Sequence, residues 1–265
     1  MLRNWLLNWR MIVDVSLLIE YIISMDLQQL MSYVRAAADE YGMIDDDDRI
    51  GVGLSGGKDS LCLLSALHNI QRFYPKKFEL CAVTVSLGFP GFDTDYLAQF
   101  CADLHVEFHI VETDIANVVF NIRNEKNPCS LCANMRRGAL NNALVSLRCN
   151  KSALGHNRND AIETFFLSLF YGGRARTFQP VTYLDRTEIT VIRPLIYAPE
   201  NELRSFVNAN GIKTVTNPCP ADGNTKREFI KRFVETQAQE FENFESKMMN
   251  AISELWRQDR YVKQV

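Results

Sequence analysis

The chain has 265 residues, 47% of them hydrophobic and 23% charged, with 13 Gly and 8 Pro; this bounds it to one large globular domain or one domain with an appendage and excludes disorder and collagen-like repetition. Seven cysteines are an odd number, too few for a disulfide scaffold, and point to a reducing compartment, the cytoplasm, where metal or sulfur chemistry becomes worth testing. A net charge of −3 argues, taken alone, against a dedicated nucleic-acid binder.

Residues 5–25 are rich in Leu, Ile, Val and Trp, but Arg10, Asp14 and Glu20 interrupt them. No run reaches the ~18 uninterrupted apolar residues of a membrane span, and no small-residue cleavage site follows a clean apolar core. Residues 1–24 read either as an amphipathic helix packing on the body or on a partner, or as a translated extension ahead of a start at Met25. From Met25 onward, apolar runs of strand length alternate with longer periodic stretches. Strands are expected at 49–54, 78–86, 106–112 and 152–155, with a fifth at 190–193, and helices at 59–73, 93–104, 130–149 and 160–171. This order predicts an α/β domain over 25–198, a parallel sheet with helices on both faces and ligands at the carboxyl ends of the strands. After Pro194 the pattern turns helical, through 202–208, 226–239 and 241–256, so 199–265 is expected to form a helical C-terminal region. The acidic run from Asp45 to Asp48 reads as a solvated turn before the first strand.

The first strand runs into Ser55, Gly56, Gly57, Lys58, Asp59 and Ser60, where a helix begins. Free backbone N–H groups at a helix start, backed by the positive end of the macrodipole, cradle phosphate, and glycines let the anion approach the backbone. Lys58 adds a point charge, and Ser55 and Ser60 add hydroxyl donors. The spacing is not that of a Walker A loop; the alternative is a glycine turn that merely caps a helix.

This Ser-Gly-Gly-Lys-Asp-Ser loop resembles the PP-loop of the ATP pyrophosphatase superfamily. The resemblance implies an adenine-nucleotide α-hydrolase-like sheet and a loop that grips the pyrophosphate end of ATP, so that attack falls on the α-phosphorus and leaves an adenylylated substrate. It also implies that Asp59 helps to hold Mg²⁺ and that Lys58 offsets charge on the leaving pyrophosphate. After the fourth strand, Gly155, His156, Asp160, Glu163 and Thr164 match the family's Gly-His-x-x-x-Asp-x-x-Glu-Thr pattern. That match implies a place for Gly155 and His156 at the nucleotide, and for Asp160 as a metal-binding or catalytic carboxylate. Asn157 and Asn159 stand where family members often carry His and Asp, and no role is assigned to them. His156 by itself reads equally as a satisfied packing histidine.

Cys129 and Cys132 open the helix that ends near Cys149, and Cys219 lies far along the chain between prolines. A Cys-x-x-Cys alone is a thioredoxin-like redox pair, half a zinc site or two packing thiols; Pro128 and a helix start, which would lower the thiol pKa, favour the first two. A second Cys-x-x-Cys and finger-spaced histidines are lacking. Three thiolates on a [4Fe–4S] cluster would leave one iron without a protein ligand, open to hydrosulfide or substrate. Residues 128–138, 154–173 and 217–232 resemble the tRNA 2-thiocytidine synthetase family, and the likeness extends over 41–250. Related uridine-thiolating enzymes carry paired zinc fingers at both ends, and their absence here favours the cytidine branch. Many cytidine enzymes have a Cys-x-x-Cys where Cys219 stands alone, so Cys219 is the expected third ligand. Cys62, Cys81, Cys101 and Cys149 are expected to pack as small hydrophobes.

Residues 123–232 carry 17 Lys and Arg against 9 Asp and Glu, a balance of +8, which leaves 12 against 23, or −11, elsewhere. Within that segment Arg136, Arg137, Arg174, Arg176, Lys226, Arg227, Lys231 and Arg232 suit phosphate contacts to a tRNA anticodon stem-loop; for any single one a solvated surface suffices. The resemblance implies an ATP-dependent tRNA sulfurtransferase. The oxygen of a base, cytidine 32, attacks the α-phosphorus of ATP; sulfur at the open iron of a cluster bound by Cys129, Cys132 and Cys219 then expels AMP. The sulfur donor would be a desulfurase persulfide or sulfide, a homodimer is compatible with the sequence, and no membrane is involved. The alternatives are a PP-loop thiolase acting on a uridine or a small metabolite, and a nucleotide-binding redox sensor using Cys129 and Cys132.

Overall fold

The computed structural model describes residues 15–123, 128–215, 218–219 and 226–262; residues 1–14 of the apolar extension, and Asn217 and Pro220 beside Cys219, lie outside them. Six strands, β1 (Asp48–Gly53), β2 (Phe78–Ser86), β3 (Glu107–Glu112), β4 (Lys151–Ala153), β5 (Val181–Leu184) and β6 (Ile189–Ile192), form one sheet in the order β3-β2-β1-β4-β6-β5. All neighbours pair in parallel except β5, which runs antiparallel to β6 at the edge. The five expected strands are present, shifted by a residue or two at their ends. The sixth, β5, is an addition: four residues with Tyr183 exposed are too short a run for alternation to register.

The helices are α1 (Val15–Tyr41), α2 (Lys58–Ile70), α3 (Thr94–Asp103), α4 (Pro128–Ser146), α5 (Arg158–Gly172), α6 (Glu200–Ala209), α7 (Lys226–Glu240) and α8 (Phe244–Val262), with a π-helical segment at Asn117–Ile122. The backbone of α1 runs unbroken through residues 24–25. Among the described residues no helix is long and apolar enough to cross a membrane.

Alternation along the strands sorts the core into two layers. Ile50, Val52, Leu80 and Ala82 join Val34 of α1, Leu61 of α2, Phe166 of α5, Leu203 of α6, Ile230 of α7 and Trp256 of α8 in one buried cluster. The intervening Cys81 and Val83 face the other side, where Leu140 and Leu144 of α4 close over them. Helices therefore cover both faces, and α6 to α8 share the main core of the sheet. On the α4 side β1 carries Gly51 and Gly53: a Cβ on Gly51 would lie 2.0 Å from Leu144 Cδ2, so the notch left by the missing side chain lets α4 pack down onto the strand.

The acidic run ahead of β1 is more than a solvated turn. Asp48 is buried, and Lys151 at the start of β4, itself buried, places its Nζ 2.7 Å from Asp48 Oδ2, 2.8 Å from Asp45 Oδ2 and 3.0 Å from the Met43 carbonyl. A buried amine held by two carboxylates and a carbonyl is satisfied, and removing one partner would leave an uncompensated charge. The clasp ties β1 to β4, the two strands whose far ends carry the glycine-rich motifs.

Gly51→Ala is expected to lower the unfolding free energy by about 1–3 kcal/mol, the range for overpacking a full core. Urea denaturation measures this, and an unchanged midpoint would mean that α4 yields to a methyl group.

Candidate active site

The strand order reverses between β1 and β4: the chain moves outward from β1 through β2 to β3, then returns to the other side of β1 with β4. Such a switch point opens a crevice outside the carboxyl ends of the two strands, and both motifs lie there. The loop after β1 turns through Gly56 at φ +81°, where a Cβ would also stand 2.8 Å from Val215 Cβ; only glycine meets both demands. Gly57 caps α2 with extended backbone, and no side chain caps the helix, so first-turn N–H groups remain for an anion. Ser60 Oγ accepts from the Ser55 N–H at 3.1 Å and donates to the Gly57 carbonyl at 2.9 Å, and the Ser55 and Ser60 hydroxyls lie 3.2 Å apart. In this structure the two serines hold the loop in shape.

Lys58 Nζ lies 3.2 Å from Asp59 Oδ2 and 2.9 Å from Glu200 Oε1. Burial works against its charge, but Asp59 and Glu200 outweigh that and keep the amine above its ordinary value. Glu200, the first residue of α6, also holds Lys231 of α7 at 2.9 Å. Against the opposing effect of burial, these two lysines hold its carboxyl down at about 2. Burial raises Asp59 above the usual carboxylate range, Lys58 opposes that rise, and the charge of Asp160 adds to it.

The second motif crosses the first at contact distance. A Cβ on Gly155 would lie 3.0 Å from the Asp59 carbonyl carbon and 3.1 Å from Ser60 N, so glycine here is required by backbone against backbone. Asn157 caps α5: its Oδ1 accepts from the Asp160 N–H at 3.1 Å, and Asp160 Oδ2 accepts from the Asn157 N–H at 3.0 Å. The same Asn157 donates from Nδ2 to Asp59 Oδ1 at 3.2 Å and so joins the two loops. Asn159 accepts from the Glu200 N–H at 3.0 Å and donates to Glu245 of α8 at 2.9 Å. Both asparagines, unassigned from sequence, are structural ties of the site. Arg227 of α7 spans Asp160 at 2.5 Å and Glu163 at 3.1 Å, two carboxylates one turn apart on α5. Lys58, Asp59, Asp160, Glu163, Glu200, Arg227 and Lys231 line a pocket of about 240 Å³.

His156 packs against Phe178 with ring centroids 4.9 Å apart, the planes tilted by 42°, and its Nδ1 is buried without a hydrogen-bond partner. Burial, with Arg193, Arg227, Arg136 and Arg137 around it, pushes its pKa down to about 3; the imidazole is neutral at any physiological pH. Arg193 lies over the Phe178 ring at 5.0 Å, and burial takes it down to about 10. Sequence reading placed Arg193 in a strand and gave it no part in the site.

Cys129 and Cys132 lie one turn apart at the start of α4, the first exposed and the second half-buried; Cys219 is half-buried, and all three thiols are free. Burial raises the Cys132 thiol, Arg136 opposes the rise, and the neighbouring Cys219 and Cys129 add to it. Cys132 thus feels both other cysteines. Among the described residues, however, no three His, Cys, Asp or Glu side chains form a ready-made metal cage. Val215, four residues before Cys219, is seated on the phosphate loop, its N–H donating to the Gly56 carbonyl at 2.9 Å. Of the other cysteines, burial pushes Cys62 and Cys101 up to about 12, and Cys81 meets Cys149 at 3.4 Å in the core.

The eight basic residues divide. Arg227 and Lys231 face the pocket, and Arg136 and Arg137 lie in the field of His156. Arg174, Arg176, Lys226 and Arg232 are exposed. Sequence reasoning missed Glu200, although an acidic residue directly after Pro199 is a helix-start signature, and it missed Asn157, although Asn-x-x-Asp is a capping-box pattern.

Residues 24–238 match the model of a family described as a PP-loop domain. The chain is 39% identical over 209 residues to a tRNA-cytidine(32) 2-sulfurtransferase of Teredinibacter turnerae, covering 78% of this chain and 69% of the relative. It is 36% identical over 229 residues to another of that name from Pelobacter propionicus, covering 85% of each. Among solved structures it is similar in fold to the U34-tRNA thiolase NcsA from Methanococcus maripaludis with its [4Fe-4S] cluster, with a TM-score of 0.73 at 22% identity over 89% of this chain and 80% of that one.

Because the depressed Glu200 carboxyl favours the folded state above its ordinary range and loses that contribution as the pH falls toward about 2, Glu200→Gln is expected to be less stable than the parent at neutral pH. The gap should close on acidification. Urea denaturation at a series of pH values tests this; a gap independent of pH would contradict the pairing of Glu200 with Lys58 and Lys231.

Proposed function

We propose that this chain, which belongs to the PP-loop domain family and within it to the tRNA-cytidine(32) 2-sulfurtransferase family, is an ATP-dependent tRNA sulfurtransferase that converts cytidine 32 to 2-thiocytidine. The observation that carries this reading is the seating of Val215, four residues before Cys219, on Gly56 of the phosphate loop, while Cys132 lies in the field of Cys219 and Cys129.

In this reading the triphosphate of ATP lies along the loop of Ser55, Gly56, Gly57, Lys58, Asp59 and Ser60, with Gly155 and His156 beside the nucleotide. Lys58 exchanges Glu200 for phosphate oxygens and offsets the charge that grows on the leaving pyrophosphate. Asp59 and Asp160 line the same pocket and supply the hard oxygen donors that Mg²⁺ takes. The base oxygen attacks the α-phosphorus, the bond to pyrophosphate breaks, and the oxygen becomes part of a good leaving group. A sulfur nucleophile then attacks the base carbon, and AMP departs with the original oxygen. His156, neutral in its arginine surroundings, offers a polar contact there without adding charge.

Three free thiols, two of them half-buried, with Cys132 in the field of the other two, are soft donors of the kind that suits iron. Cys129, Cys132 and Cys219 would hold a [4Fe–4S] cluster, which when bound supplies an iron free to carry sulfide. The sulfur comes from a desulfurase persulfide or from sulfide, the macromolecular partner is the tRNA anticodon stem-loop, and the compartment is the cytoplasm. Arg136, Arg137, Arg174, Arg176, Lys226, Arg227, Lys231 and Arg232 contact its phosphates.

Lys58→Ala is expected to slow pyrophosphate release from ATP and tRNA by about 10²–10³-fold, the scale for losing a preorganised charge partner of the transition state. Cys219→Ala should keep pyrophosphate release but lose 2-thiocytidine, as read by nucleoside mass spectrometry. Anaerobically purified parent protein should hold about four iron and four sulfide per chain, and the variant fewer. Equal thiolation by Cys219→Ala would remove it from the ligand set, and stoichiometric zinc in the parent would redirect the cysteines to a structural role.

A further inference from the structure

Helix α7 has two working faces. Arg227 and Lys231, four residues apart, reach Asp160, Glu163 and Glu200 in the pocket. Lys226, Phe229 and Phe233 fall at i, i+3 and i+7 on another face. Lys226 lies over the Tyr171 ring at 4.5 Å and Phe233 packs on Phe170 at 5.3 Å, and Phe229 falls between them along the same side of α7. These contacts do not cover the rings: Phe170, Tyr171 and Phe229 are 49%, 49% and 52% exposed. Beside them Arg174 and Arg176 stand exposed after α5, and residues 170–176 contain no carboxylate.

Clustered half-exposed rings mark an interaction surface rather than scattered surface apolarity. Their company decides the partner. Aromatic faces interleaved with cations suit unpaired nucleotides, whose bases stack on the rings while their phosphates meet the charges. A protein partner would instead favour a charge-depleted centre. Because α7 carries both faces, this surface adjoins the nucleotide pocket.

We propose that Phe170, Tyr171 and Phe229, flanked by Arg174, Arg176 and Lys226, form a stacking platform for unpaired RNA-loop nucleotides next to the one that enters the pocket. This rests on tRNA being the substrate and names the part of the chain that grips its loop. It assigns the three rings a role in recognition, separate from the phosphate contacts of the basic residues.

The test is anisotropy of a labelled RNA stem-loop with the full chain, purified anaerobically, against the same stem extended into a continuous duplex. Tyr171→Ala and Phe229→Ala are each expected to weaken stem-loop binding about tenfold, leaving duplex binding and the salt dependence unchanged, whereas Tyr171→Phe retains binding. Arg174→Ala should weaken both RNAs and flatten the salt dependence. If the parent protein binds the stem-loop and the Ala variants bind it equally well, the platform is overturned while tRNA thiolation stands. If the parent protein binds neither RNA, both fall. A shift of Tyr171→Ala from dimer to monomer in sedimentation, with RNA affinity intact, would overturn the platform in favour of a contact between copies of the chain.

Discussion

The contact between Gly155 and the backbone of Asp59 is the constraint on which the site depends. Two loops that leave adjacent parallel strands are brought to van der Waals distance because one lacks a Cβ where the other passes. At that separation Asn157 reaches Asp59 while capping α5, and the cap fixes Asp160 at the pocket. Asn159 then ties α5 to the first turn of α6, which presents Glu200 to Lys58. Each tie is short, and each presupposes the one before it.

Acidic groups outnumber the cations that line the pocket. Asp59, Asp160, Glu163 and Glu200 face Lys58, Arg227 and Lys231, and every one of these cations bridges to a carboxylate. A triphosphate with a divalent metal can enter by exchange, the phosphates taking Lys58 and the metal taking carboxylates, so no buried charge is stripped of all partners on the way. The neutral His156 and its contact with Phe178 stand outside this exchange. The same logic applies at the other end of the sheet, where Lys151 is enclosed by Asp45 and Asp48.

What the sequence made legible was local. Strand, double glycine, lysine and helix start follow one another within a dozen residues, and Gly155 to Glu163 likewise form one strand end and one helix start, so periodicity and turn chemistry reveal both. Glu200, Glu245 and Arg193 were not legible, because each is a lone polar residue whose meaning comes from a side chain far away in sequence: Lys58 for Glu200, Arg158 and Asn159 for Glu245, Phe178 for Arg193. Strand β5 escaped because an edge strand of four residues with one exposed side chain leaves no pattern, and Asp45 and Asp48 passed for solvated residues because nothing nearby announces Lys151. The cysteine set lies between these cases. Its members were visible as residue types, but no local pattern relates Cys219 to the helix start that carries Cys129 and Cys132.

Helix α4 joins these two kinds of information mechanically. Its last turns are wedged by Leu140 and Leu144 into the side-chain-free notches of Gly51 and Gly53, while Leu131, Cys132 and Met135 near its start rest on a small separate apolar cluster around Leu87, Ile115 and Val119. The helix is therefore a cantilever: clamped at the sheet, lightly supported at the tip that bears the thiols. A disturbance at the clamp, remote from any reacting atom, would travel along a stiff rod of roughly 1.5 Å per residue and emerge as a misplaced sulfur.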